Sequence, residues 1–273
     1  MKFHDFNPGS DKPLLHLAHA NGFPPATYVG ALTPLLSQYH VISFYARPFW
    51  GGPADSLKDW SIFGEDLLTG LGQVSASKVV GVGHSMGGVA TLYAAVRNPG
   101  LFSHVILVDP TMLAPALLRK VALFRWFGIE TRKELVKGAL RRRRQWASRE
   151  EAYRSFKDKP LFKHWSDETL WAYVDGMTAP AEDGGIKLIY PPEWEAKVYR
   201  TIPTDVWECA AKLTQPVLVI RGEMSNTFTA ESEAAFRKAL PSASFAVVKG
   251  AGHLVPQEQP ETVGQLILQF LKG

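Results

Sequence analysis

The stretch from Lys78 to Val108 constrains the fold more than any other. An apolar run, Lys78 to Val82, leads into Gly83-His84-Ser85-Met86-Gly87. Met86 to Arg97 then reads as a helix of small residues, and a second apolar run, His104 to Val108, follows. Strand, helix and strand at this spacing form a parallel crossover unit. Parallel strands are covered on both faces and so read as continuous apolar runs, which these are. Leu14 to Ala18, Val41 to Ala46, Pro216 to Ile220 and Ser244 to Val248 have the same character. Ser61 to Leu71 and Glu261 to Leu271 read as helices. The expected fold class is therefore α/β, a mostly parallel doubly wound sheet with helices on both faces.

From Thr111 to about Pro203 the pattern turns helical, with many Arg and Trp residues and no strand signal. An α/β core of residues 1–110 and 206–273 is expected, split by a helical cap over 111–205. Five of the eight tryptophans, Trp126, Trp146, Trp165, Trp171 and Trp194, fall in that segment. They read as the cap's own core, because a small lid needs large apolar groups to hold together. Arg141 to Arg144 reads as a solvated helix face, and Thr178 to Pro192 as a loop.

Bulk properties exclude several classes of function. The net charge is +4, and the basic excess is concentrated in that arginine run. Basic residues are not interleaved with stacking aromatics over a broad surface, so nucleic-acid binding is not expected. No apolar run reaches the roughly 18 residues that span a bilayer, so stable membrane insertion is not expected. Met1 to Ser10 lacks the pattern of a signal peptide, and a cytoplasmic protein is expected. The single cysteine, Cys209, allows no intramolecular disulfide and no cysteine-based metal site, and it reads as structural.

Three features carry chemistry. Ser85 sits on a sharp turn between an apolar strand and a helix, the G-x-S-x-G setting of an exposed nucleophile. The helix start points free N–H groups and a positive dipole end at that serine. His253, in Gly250-Ala251-Gly252-His253, follows the last strand signal. Loops at the carboxyl ends of parallel strands carry the chemistry of open α/β sheets, so His253 is the expected general base. His19-Ala20-Asn21-Gly22-Phe23-Pro24 follows the first strand and supplies a turn next to the site. The N–H groups of Phe23 and Met86 are the expected oxyanion donors. Pro24 has no N–H to give. His19 and Asn21 are expected to hold the loop in shape.

The GHSMG elbow, the HANGFP loop, the terminal GAGH and the helical insertion together resemble the α/β-hydrolase superfamily over essentially the whole chain. The resemblance implies a Ser–His–acid triad, a helical cap over the pocket, and no cofactor or metal. Haloalkane dehalogenases share this layout but use an aspartate nucleophile, and Ser85 argues against their chemistry. The superfamily's acid usually lies after the strand read here as Pro216 to Ile220. This chain carries Asn226 there, and an amide neither fixes the histidine tautomer nor offsets its charge well. Some members place the acid one strand after the nucleophile, which points to Asp109, with Glu223 as the alternative. The expected activity is hydrolysis of small-molecule carboxylic esters through an acyl-enzyme. A C–C bond hydrolase, a lactonase and a non-catalytic ligand receptor are the rival readings.

Overall fold

The computed structural model describes residues 1–182 and 184–273. Ten strands run in chain order: β1 (Phe3–Asp5), β2 (Leu14–Ala18), β3 (His40–Phe44), β4 (Val79–His84), β5 (Phe102–Val108), β6 (Gln145–Trp146), β7 (Thr178–Pro180), β8 (Ile186–Leu188), β9 (Val217–Gly222) and β10 (Ser244–Val248). Seven form the main sheet, in the order β1-β3-β2-β4-β5-β9-β10. Every pairing in it is parallel except the edge pair β1–β3, which is antiparallel. The expected α/β fold with a mostly parallel sheet is therefore observed. Within this sheet β1 alone escaped the sequence reading, because three residues of mixed polarity carry no periodicity. Strand ends also shift: β3 stops at Phe44, and β4 runs through to His84.

The helices are α1 (Val29–Leu32), α2 (Ser61–Gln73), α3 (Met86–Arg97), α4 (Pro115–Trp126), α5 (Lys133–Leu140), α6 (Arg149–Lys157), α7 (Asp167–Met177), α8 (Pro192–Arg200), α9 (Val206–Ala210), α10 (Ala230–Ala239), α11 (Val255–Glu258) and α12 (Pro260–Lys272). Side chains alternate between the two faces of each strand. Val105, Leu107, Val217 and Val219 join a core built with α2, α3 and α10. Their neighbours Val80, Val82, Ile106, Val108, Leu218 and Ile220 join the opposite core with α1 and α12. Both faces are thus covered, which is why these strands read as unbroken apolar runs. Among the described residues no helix is long and apolar enough to cross a membrane.

The chain between β5 and β9 corrects the sequence reading in three places. First, it is not wholly helical, since β6, β8 and β7 form a small antiparallel sheet in that order. This sheet takes up much of the expected 178–192 loop; Asp183 lies outside the described residues. Strands of two or three residues are too short for a period to show. Second, α5 ends at Leu140, so the arginine run is not a helix face. Third, the tryptophans divide. Trp146 and Trp165 are buried in a local aromatic core with Phe156, Phe162 and Tyr173. Trp194 instead joins the main core, and Trp171 stacks on Tyr153 at 4.4 Å. Trp126 stands 86% exposed and so builds no core.

Candidate active site

β4 delivers the elbow. Ser85 takes φ +56° and ψ −117°, a strained conformation for a residue with a side chain. The turn is held by the Ser85 N–H donating to the Val108 carbonyl and the Thr111 N–H donating to the Ser85 carbonyl, both at 3.1 Å. The flanking glycines are required by contact. A Cβ on Gly83 would lie 2.3 Å from the Gly87 carbonyl oxygen, and one on Gly87 would lie 2.0 Å from that of Ala18. Small residues at these two positions let α3 close against β2 and β4.

His253 comes from the loop after β10. Its Nε2 lies 2.9 Å from Ser85 Oγ, and its Nδ1 lies 2.7 Å from Asp109 Oδ1. The buried carboxylate fixes the tautomer: Nδ1–H donates to Asp109, and Nε2 accepts the Ser85 hydroxyl proton. Asp109 follows β5 with φ +40°, a second strained residue. It is fully buried and accepts two further hydrogen bonds, from Ser225 Oγ at 2.6 Å and from the Gly222 N–H at 2.9 Å.

Of the two carboxylates weighed from the sequence, the fold brings Asp109 to the histidine. Glu223 is exposed, and its Oε2 accepts the Gly250 N–H at 2.9 Å. Asn226 is also exposed and bonds its neighbour Thr227. Four neighbouring residues escaped the sequence reading. The Thr111 hydroxyl lies 3.1 Å from Ser85 Oγ, and the Ser225 hydroxyl holds Asp109. Tyr28 accepts the Ala20 N–H at 2.9 Å and donates to His84 Nδ1 at 2.8 Å. His84 Nε2–H in turn donates to the His253 carbonyl at 2.9 Å. Only His84, inside the elbow, carried a sequence signal. Burial, with the nearby His253 second, lowers the His84 pKa to about 3, so the ring stays neutral in this role.

The loop after β2 behaves partly as expected. His19 braces it: its ring accepts the Ala46 N–H at 2.9 Å and donates to the Ala20 carbonyl at 2.8 Å. Asn21 Oδ1 accepts the Tyr190 hydroxyl at 2.6 Å. Met86 opens α3, so its N–H has no intrahelical acceptor. The Phe23 N–H is less free, since it closes a turn on the Ala20 carbonyl at 3.2 Å. Above Ser85 lies a cavity of about 710 Å³, large enough for a small organic molecule. Ser85, His253, Phe23 and Thr111 line it beside the sheet, and Arg132, Arg142, Phe162 and Tyr173 line it from the segment above. Cys209 is half-buried on α9, away from this set. Among the described residues no cluster of His, Cys, Asp and Glu could hold a metal.

The sequence profile described as "Alpha/beta hydrolase family" matches residues 16–266. The chain belongs to the alpha/beta hydrolase family. Among curated relatives, this hydrolase is similar to YugF of Bacillus subtilis, described as an uncharacterized hydrolase. The two are 26% identical over 249 residues, covering 88% of this chain and 83% of that one. It is also similar to ACTT2-1 of Alternaria alternata, an abhydrolase domain-containing protein. Identity is 24% over 229 residues, covering 71% of this chain and 82% of the other. Among solved structures, E-2-(acetamidomethylene)succinate hydrolase superposes with a TM-score of 0.77 at 19% identity, covering 99% of this chain and 94% of that one. At that identity the likeness speaks for the fold alone.

Proposed function

We propose that this hydrolase cleaves carboxylic esters of small molecules with Ser85 as nucleophile, through an acyl-enzyme. The observation that carries the reading is the continuous hydrogen-bonded chain Ser85–His253–Asp109 at the mouth of a cavity. His253 Nε2 takes the Ser85 proton as Oγ attacks the ester carbonyl. Asp109 holds the imidazole and offsets the charge it gains. The Met86 N–H is the first oxyanion donor, and the Phe23 N–H the second, sharing its proton with Ala20. His253 then protonates the leaving alcohol. Water, activated by the same histidine, releases the acid.

In this reading residues 111–205 act as the cap that shapes substrate choice, over a core of 1–110 and 206–273. A C–C bond hydrolase and a lactonase would use the same three residues, and the ester is preferred because it needs no further group. A non-catalytic receptor would need no acid beside His253, and the Asp109 contact weighs against it.

Intact-mass detection of fluorophosphonate labelling tests the reading. Wild type is expected to gain one adduct, Ser85→Ala none, and Asp109→Asn to react far more slowly. An unlabelled wild type, or an adduct that survives in Ser85→Ala, would refute it.

A further inference from the structure

The cavity above Ser85 holds more positive charge than its own carboxylates balance. Arg132, Arg142 and Lys159 line it, against Glu195 and Glu258. Glu258 is turned to the histidine loop, where Oε2 accepts the Gly252 N–H at 2.6 Å. Glu195 is engaged by Arg142, whose other nitrogen donates to the Tyr173 hydroxyl at 2.7 Å. Two cations are left over. Among the described residues, neither Arg132 nor Lys159 makes a salt bridge; Lys159 is exposed, lies over the Phe156 ring at 4.6 Å and feels the Glu195 carboxylate at longer range.

The balanced Arg142–Glu195 pair lies next to the loop that faces Ser85. A Cβ on Gly22 would stand 3.5 Å from Arg142 Nη1 and 3.7 Å from the Glu195 carboxyl. The ion pair therefore rests on the Asn21–Phe23 loop, which faces Ser85 across the cavity. Burial pulls the Arg132 guanidinium below its ordinary pKa. It also lowers the pKa of the Lys159 ammonium, where the Arg142 charge adds to the effect and the Glu195 charge opposes it. A half-buried guanidinium with no ion-pair partner carries a desolvation cost that an arriving anion relieves, and the exposed Lys159 ammonium adds to the attraction. Leu135, Leu161, Phe162 and Ile202 add apolar wall that suits a hydrocarbon spacer.

We infer that the substrates are acidic esters, molecules bearing a carboxylate away from the scissile bond, with that carboxylate drawn to the cationic wall that Arg132 and Lys159 line. The inference rests on the ester reading above and narrows its substrate class. The Arg142–Glu195 pair stays internal and holds the neighbouring loop. Hydrolysis adds one water across the ester C–O bond, so the acyl half leaves as a dicarboxylate when it is the half that carries the extra charge.

Two matched esters test the inference: 4-nitrophenyl hydrogen adipate and its neutral twin, 4-nitrophenyl methyl adipate, both read by release of 4-nitrophenolate. Wild type is expected to favour the acid in kcat/KM by about tenfold to hundredfold, the worth of a charge-assisted hydrogen bond. That ratio should fall towards one in Arg132→Gln/Lys159→Gln and shrink with added salt. Because it is a ratio within each variant, partial misfolding cancels. Turnover of both esters at parity by wild type would overturn the inference and leave the ester reading standing. If neither ester is turned over, the ester reading fails, and calorimetric binding to Ser85→Ala decides the charge question alone. Tighter binding of the acid than of its twin, lost in the double glutamine background, supports the site; equal or absent binding overturns it.

Discussion

Asp109 serves His253, Ser225 and the Gly222 N–H with two oxygens, and no water-facing surface remains on it. An amide in its place would present N–H donors to groups that are themselves donors. Asp109→Asn is therefore expected to lower kcat by about 10³–10⁴, the scale seen when a triad aspartate is made an amide in a serine protease. Glu223→Gln should change kcat by less than about twofold, because an exposed amide oxygen can still accept the Gly250 N–H. Equal losses in steady-state kinetics would remove Asp109 from the mechanism. Ser225→Ala leaves a buried carboxylate one donor short and should cost about 1–3 kcal/mol in urea unfolding, with an unchanged m-value. Ser85 and His253 were legible in the sequence because their signals are local: an elbow flanked by glycines, and a loop histidine after the last strand. Asp109 and Ser225 stand 116 positions apart, and no local pattern links them.

At the scale of elements, the elbow works because α3 can approach β2 closely. Gly87→Ala would drive a methyl into the Ala18 carbonyl at 2.0 Å, and backbone cannot step aside as a side chain can. A loss of at least about 3 kcal/mol is expected, read as a lower thermal midpoint or failure to express soluble protein. A variant as stable as wild type would contradict the packing described. Tyr28 bonds Ala20 and His84 directly, and His84 carries the link on to the His253 carbonyl. Tyr28→Phe removes one hydroxyl and strands two buried polar atoms, so about 2–4 kcal/mol of stability should be lost. The arginine run belongs here too. Its sequence suggests a helix face, yet the chain turns out after Leu140, and Arg142 meets Glu195 and Tyr173. A partner supplied by another helix outcompetes the local helical preference.

For the whole molecule, three buried imidazoles set the response to acid. Burial is the main cause of their low pKa values, about 3 for His16 and His84 and about 4 for His19, against an ordinary 6.5. Below about pH 6.5 the unfolded chain binds protons on these rings while the folded chain does not. Stability from this source is complete above that pH and is lost as pH falls towards 4 and then 3. Unfolding free energies from urea titration should therefore drop steadily between pH 6.5 and pH 4, on the order of several kcal/mol in total. The drop should be shallower in a variant with one of the three rings replaced by an isosteric neutral side chain. A flat profile over that window would show that the rings are charged in the folded state.

Much of the molecule is written in order along the chain. Continuous apolar runs meant parallel strands covered on both faces, and the glycine-flanked serine meant a strained turn at a strand end. Both depend on neighbours in sequence, so the sequence alone determined the α/β class, the elbow and the histidine loop. The acid facing His253, the hydroxyls on Ser85 and Asp109, the short sheet formed by β6, β8 and β7, and the charge of the cavity wall depend on distant segments meeting. Strand register and loop closure brought those segments together, and only the tertiary structure could decide that Asp109, rather than Glu223, completes the chain of hydrogen bonds.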